Sequence, residues 1–172
     1  EGMDAAGVAT SVKHFPGLGR VRGNTDFARR VTDGTTTRDD RALQPFADGV
    51  GADADMVMMS SAYYSEIDPK RRAAFSPTVV QGMVRGDLGF TGVVISDDLA
   101  AAAMQDLEPE ARMLRFLRAG GDLAIIGDPS IAAAMADAVV DEVRDDDELQ
   151  DQIEAATVRV LQLKDRRGLA DC

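Results

Sequence analysis

Four short apolar runs, each followed by a stretch of helical spacing, constrain this chain more than any other feature. The runs are Val8 to Phe15, Asp55 to Ala62, Gly92 to Ser96 and Asp122 to Ile126. The last three are continuous rather than alternating, the pattern of strands buried on both faces. Arg38 to Gly51 carries Leu43, Phe46 and Val50 at helical spacing. Ser76-Pro77 opens the next helix, with serine as N-cap and proline at the first helical position. Val79, Val80, Met83 and Val84 give that helix its apolar face, and it stops near Gly86. Glu108 to Ala119 is closed by Gly120-Gly121, and Ile131 to Val143 follows. Glu148 to Arg167 is a long amphipathic helix with Ile153, Ala156, Val160 and Leu163 on one side. Strand–helix alternation of this kind predicts an α/β fold with a parallel sheet, in one domain over residues 1–172.

Composition narrows the partners. The formal charge is −11. Phosphate contacts need a basic surface, so this balance argues against nucleic acid or anionic membrane as the main partner. No apolar run approaches the roughly 20 residues that span a bilayer. The one cysteine, Cys172, excludes a disulfide framework and leaves the compartment open.

Parallel α/β proteins place their chemistry beyond the carboxyl ends of the strands, so reactive groups in those segments are the candidates. The first run ends on Lys13-His14-Phe15-Pro16-Gly17-Leu18-Gly19. Lys13 and His14, the only histidine, would aim donors at a polar ligand, and the Pro-Gly turn lets backbone approach it. The competing reading is a packed histidine beside a surface lysine. The segment from Gly17 to Thr37 is read as one long loop, and long loops in compact domains are usually functional. Gly17-Leu18-Gly19-Arg20-Val21-Arg22-Gly23 approaches a dinucleotide fingerprint, but its spacing is off by one and Asn24-Thr25-Asp26 starts no helix. The third run ends on Ser96-Asp97-Asp98-Leu99. Neighbouring strand side chains start in opposite directions, so Asp97 would face the site while Asp98 holds the following turn. Two caps, or a magnesium pair, are the alternatives. Ser60 and Ser61 end the second run and could line the site; without a G-x-S-x-G elbow neither is a candidate nucleophile. The acidic run Asp145-Asp146-Asp147-Glu148 suits a solvated helix start.

These pieces, in this order, resemble glycoside hydrolase family 3, most closely its β-N-acetylglucosaminidase branch. The resemblance rests on Lys13 to Gly19, Phe46 with Gly49, Met58-Met59, Leu88 to Leu99, Ala119-Gly120-Gly121-Asp122 and Arg159 to Lys164. It implies the later half of a (β/α)8 TIM-type barrel, about four βα units plus a C-terminal helix. It further implies a retaining glycosidase, needing no metal or cofactor, that releases terminal β-linked N-acetylglucosamine from a carbohydrate such as a cell-wall fragment. Asp97 would be the nucleophile that forms a glycosyl-aspartate. Lys13 and His14 would bind sugar hydroxyls, with Ser60 lining the same site.

Two departures from the branch carry expectations. Where it has Asp-Ser-His, with histidine as acid/base, this chain has Asn24-Thr25-Asp26, which makes Asp26 the candidate acid/base. A carboxylate there would repel an attacking phosphate and so favours water as acceptor. The family's earlier half barrel, with a further sugar-binding aspartate and arginine, has no counterpart here. The chain is therefore expected to pack against that half or against a second copy. The alternatives are a non-catalytic sugar-binding half barrel, β-glucosidase-type specificity, or a phosphate- or nucleotide-binding α/β domain.

Overall fold

The computed structural model describes residues 2–170; Glu1, Asp171 and the single cysteine, Cys172, lie outside them. In chain order its elements are α1 (Gly2–Ala5), β1 (Ser11–Phe15), β2 (Thr32–Asp33), α2 (Gln44–Gly51), β3 (Met56–Met59), β4 (Tyr63–Tyr64), β5 (Asp68–Arg72), a π-helix (Thr78–Asp87), β6 (Val93–Asp98), α3 (Pro109–Arg118), β7 (Leu123–Ile125), α4 (Ala132–Glu142) and α5 (Asp147–Arg166). The four apolar runs become one parallel sheet of order β1-β3-β6-β7. Successive strands are neighbours, with helices in each connection, as the alternation predicts.

Burial follows position in the sheet. Val93, Val94, Ile95 and Ser96 of the interior strand β6 are all buried. Leu123 of β7 is partly exposed, because β7 is an edge strand and has no neighbour on its outer side among the described residues. The helices cover the sheet through Phe46, Val79, Val80, Met83, Val84, Phe116 and Met135. Phe15 and Phe46 meet edge to face, 5.1 Å between centroids. Gly49 is required at that contact, since a Cβ would stand 2.4 Å from Val12 Cγ1.

Three local readings need correction. The first helix starts at Gln44, preceded by a 3-10 turn over Arg41–Leu43, not at Arg38. Pro45 has no N–H to bond back to the Arg41 carbonyl, which Gln44 N–H takes instead in the 3-10 turn. The helix after Ser76 is wound as a π-helix. Ser76 does cap it, accepting from Val79 N through Oγ at 3.3 Å. Arg38, paired with Asp87, also donates to the Gly82 carbonyl at 3.2 Å. A donor inserted into the helical ladder is an ordinary cause of altered winding. Third, the segment 17–37 is not loop throughout. Its β2 pairs parallel with β4, which pairs antiparallel with β5, forming a second, three-stranded sheet. Two-residue strands are too short to show any period in the sequence.

One buried carboxylate ties the layers together. Asp122 accepts from Val94 N at 2.7 Å, Arg85 at 2.6 Å and Arg159 at 2.8 Å, joining β6, the π-helix and α5. At the start of α5, Asp146 accepts from Leu149 N at 3.0 Å, so the acidic run does cap a helix.

Candidate active site

Both reactive strand ends carry a bulge. Val12 faces Val57 and Phe15 faces Met59, so β1 takes three steps where β3 takes two. Likewise Ile95 faces Leu123 and Asp98 faces Ile125, so β6 takes three steps where β7 takes two. A bulge breaks the strict alternation of faces and re-aims side chains. The extra residues fall at Lys13-His14 and at Ser96-Asp97. The Lys13–His14 and Phe15–Pro16 peptide bonds are both cis.

The re-aimed side chains meet. His14 Nε2 lies 3.9 Å from Asp97 Oδ1, too far for a direct hydrogen bond and close enough for one bridging oxygen. Asp97 Oδ1 accepts from Asp98 N at 2.9 Å, which fixes one oxygen. Asp98 faces away and holds the turn: its Oδ1 accepts from Ala100 N at 2.8 Å and from Gly127 N at 2.7 Å. The approach requires glycine at 127, where a Cβ would meet Asp98 Oδ2 at 2.5 Å. The two aspartates thus make different contacts, Asp98 bracing the turn while Asp97 faces His14.

The loop closes the site from above. Asn24 Oδ1 accepts from Asp26 N at 2.8 Å, a local turn that lifts Asp26 to the crest. The crest is anchored across to the segment after β6: Ala103 N donates to Thr25 O at 3.0 Å and Ala102 N to Asp26 O at 3.3 Å. Together His14, Leu18, Val21, Asn24, Asp26 and Asp97 line an open cavity of about 340 Å³. Burial pushes the His14 imidazole below the ordinary histidine range. Asp97 pulls it back up, Lys13 pushes it down and Asp26 pulls it up, more weakly in that order.

Of the five residues singled out from sequence, three line this cavity: His14, Asp26 and Asp97. Lys13 is exposed beside it. Ser60 is fully buried and off the wall. It accepts from Ala62 N at 3.1 Å and lies 3.0 Å from the Tyr64 hydroxyl, which donates to Gly17 O at 2.8 Å. Ser60 therefore supports the Pro-Gly turn through Tyr64. The turn does not open a helix, so the dinucleotide reading has no structural support.

Arg112 was not anticipated. It is buried on α3, four residues before Phe116 on the same face. Its Nη1 donates to Leu99 O at 3.0 Å and its Nε to Leu107 O at 2.8 Å. The guanidinium clasps both ends of the segment that anchors Thr25 and Asp26. The signal in the sequence was a cation at the apolar spacing of a helix.

Residues 1–163 match the model of the glycosyl hydrolase family 3 N-terminal domain. A beta-hexosaminidase of Stenotrophomonas maltophilia is 38% identical over 135 residues, covering 76% of this chain and 39% of that protein. The crystal structure of a beta-N-acetylhexosaminidase from Beutenbergia cavernae superposes with a TM-score of 0.92 at 47% identity, over 95% of this chain and 49% of that one. A family 3 beta-N-acetylglucosaminidase from Paenibacillus superposes with a TM-score of 0.89 at 29% identity, over 99% of this chain and 33% of that one. The chain thus spans half or less of the length of these relatives.

Proposed function

Because the chain belongs to glycosyl hydrolase family 3, with its TIM-barrel-like α/β fold, we propose that the His14–Asp26–Asp97 cavity is the sugar site of a retaining glycosidase. Its substrate is a terminal β-linked N-acetylglucosamine. The observation that carries this reading is the convergence of two carboxylates and a histidine in one cavity at the carboxyl ends of β1 and β6.

Asp97 attacks the anomeric carbon through Oδ2, since Oδ1 is engaged by Asp98 N–H. Asp26, protonated, gives its proton to the glycosidic oxygen as that bond breaks, leaving a glycosyl ester on Asp97. Asp26, now a carboxylate, takes a proton from water, whose oxygen displaces Asp97 and releases the sugar with retained configuration. His14, neutral, hydrogen-bonds a sugar hydroxyl in the gap beside Asp97, and Lys13 reaches hydroxyls from the rim. The negative charge of Asp26 favours water over phosphate as acceptor.

A 2-fluoro glycosyl inactivator with a good leaving group tests this. It should label Asp97, and Asp97→Asn should abolish labelling. Azide should rescue Asp26→Ala if Asp26 is the acid/base; full activity without azide would remove it from the mechanism. A glucose-configured inactivator that labels faster than its N-acetyl analogue would move the specificity to β-glucosides.

A second reading rests on Phe27, which is 84% exposed next to Asp26. An open aromatic at the rim favours a covering surface, either the earlier half barrel or a second copy of the chain. On this reading the chain binds sugar alone and turns it over only when covered. Saccharide binding without labelling supports it, and a clean monomer that labels unaided opposes it.

A further inference from the structure

A second cavity, of about 520 Å³, lies between β5, the end of α3 and Tyr63. It shares no lining residue with the His14–Asp26–Asp97 cavity. Five cations line it, Lys70, Arg71, Arg72, Arg115 and Arg118, and no carboxylate does. The chain around it carries a formal charge of −11. Such a concentration of one sign in a concave site focuses the field on whatever enters.

Internal pairing absorbs only part of these charges. Arg118 is engaged by Glu142 and Asp146, and Arg72 by Asp106 at 2.6 Å. Arg71 reaches Asp68 only at 3.5 Å, and Asp68 already accepts from Ser76 Oγ at 2.7 Å and Lys70 N at 3.1 Å. Among the described residues Lys70 and Arg115 have no ion pair. Arg72 is 3% exposed, and its Nε has no acceptor. A buried donor left unmatched is costly and rarely left so without use. Arg72 and Arg30 also pack on the Tyr63 ring, at 4.8 and 4.3 Å from its centroid, which fixes one wall.

We propose that this cavity binds a small molecule carrying several oxyanion charges, as phosphate or as carboxylate groups. Guanidinium forks match both in bidentate geometry. The volume falls within the ordinary range for small-molecule sites, larger than one isolated anion requires. Phe75 and Ala119 supply an apolar floor for the part of the ligand that bears the charges.

Calorimetric titration with pyrophosphate and, separately, with citrate tests the proposal at low ionic strength. One saturable site is expected, weakening as salt is added. Lys70→Ala with Arg115→Ala should weaken it about tenfold. Arg144→Ala, an exposed cation outside the cavity, should leave it unchanged. Tighter pyrophosphate binding identifies a phosphate ligand, and tighter citrate binding a carboxylate one. Slowed hydrogen exchange on ligand addition, confined to residues 68–75 and 112–119, supports the site without any variant. Absence of binding of both probes at millimolar concentration overturns it. So does equal weakening by Arg144→Ala, or a double variant that binds as the parent does.

Discussion

The two ends of the parallel strands hold carboxylates in opposite ways. At the amino end, Asp55 precedes β3 and is fully engaged: it accepts from Thr10 N at 2.8 Å and from Arg167 Nη2 at 2.6 Å. Arg167 also reaches Asp4 at 2.8 Å. At the carboxyl end, Asp97 takes one backbone N–H and faces His14 across 3.9 Å. The cavity at the amino end is the larger, about 640 Å³ against 340 Å³. Size therefore does not locate the chemistry. What distinguishes the carboxyl end is reactive groups left without close partners, held by bulges and by a loop anchored elsewhere. On the function proposed above, residues at the amino end would serve stability and those at the carboxyl end the reaction.

Exchange of the two aspartates is the sharpest way to break that comparison. Asp97→Asn should lower turnover about a thousandfold or more while moving stability by less than about 0.5 kcal/mol. Asp55→Ala should do the reverse, lowering the midpoint of urea unfolding because Arg167 and the Thr10 N–H lose their shared acceptor. Turnover by the folded fraction should be unchanged. If both variants lose stability alike, the division between the two ends fails.

Arg112 joins the two behaviours, being buried like a structural residue while acting on the site loop. Arg112→Met leaves the Leu99 and Leu107 carbonyls without their donor, at a cost of about 1–3 kcal/mol. Turnover should fall more than substrate binding, because Asp26 loses its anchor while His14 and Asp97 keep theirs. An unaltered ratio of kcat to KM effects would assign Arg112 to stability alone.

Acid should report on the amino end. Burial would raise the Asp55 carboxyl, but Arg167 and the Thr10 N–H override it and hold it below the ordinary carboxylate range. A carboxyl depressed in the folded state gives stability that is present above its unfolded pKa, about 3.9, and is lost as pH falls through the folded value. Stability to urea should therefore decline below about pH 4, and Asp55→Asn should flatten that decline.

Much of this arrangement was legible in the sequence, for stated physical reasons. Apolar runs alternating with helical spacing marked a parallel sheet, and the family resemblance gave its barrel-type order. Ser96-Asp97-Asp98 gave the division of labour, because adjacent strand residues diverge. The small second sheet was not legible, since Thr32–Asp33 and Tyr63–Tyr64 are too short for any period. Ser60 was misplaced for a related reason. Its position at a strand end suggested the cavity wall, while its bond with Tyr64 depends on a partner four residues on that folds back. The bulges that aim His14 and Asp97 arise from register between strands, which no single strand encodes.

The finest test uses the one histidine in the chain, whose ring signals can be followed by NMR without assignment. Its titration midpoint in the parent should lie below the ordinary value of about 6.5, because burial disfavours the imidazolium. Asp97→Asn should lower it further, by removing the largest opposing attraction. Lys13→Met should raise it, by removing a repulsion. Asp26→Asn should lower it least, since Asp26 contributes the smallest pull. The order of these three displacements reads out how each charge bears on His14 in solution. A midpoint indifferent to Asp97 would mean that solvent screens the pair across its 3.9 Å gap, and that the carboxyl end is more open than its geometry implies.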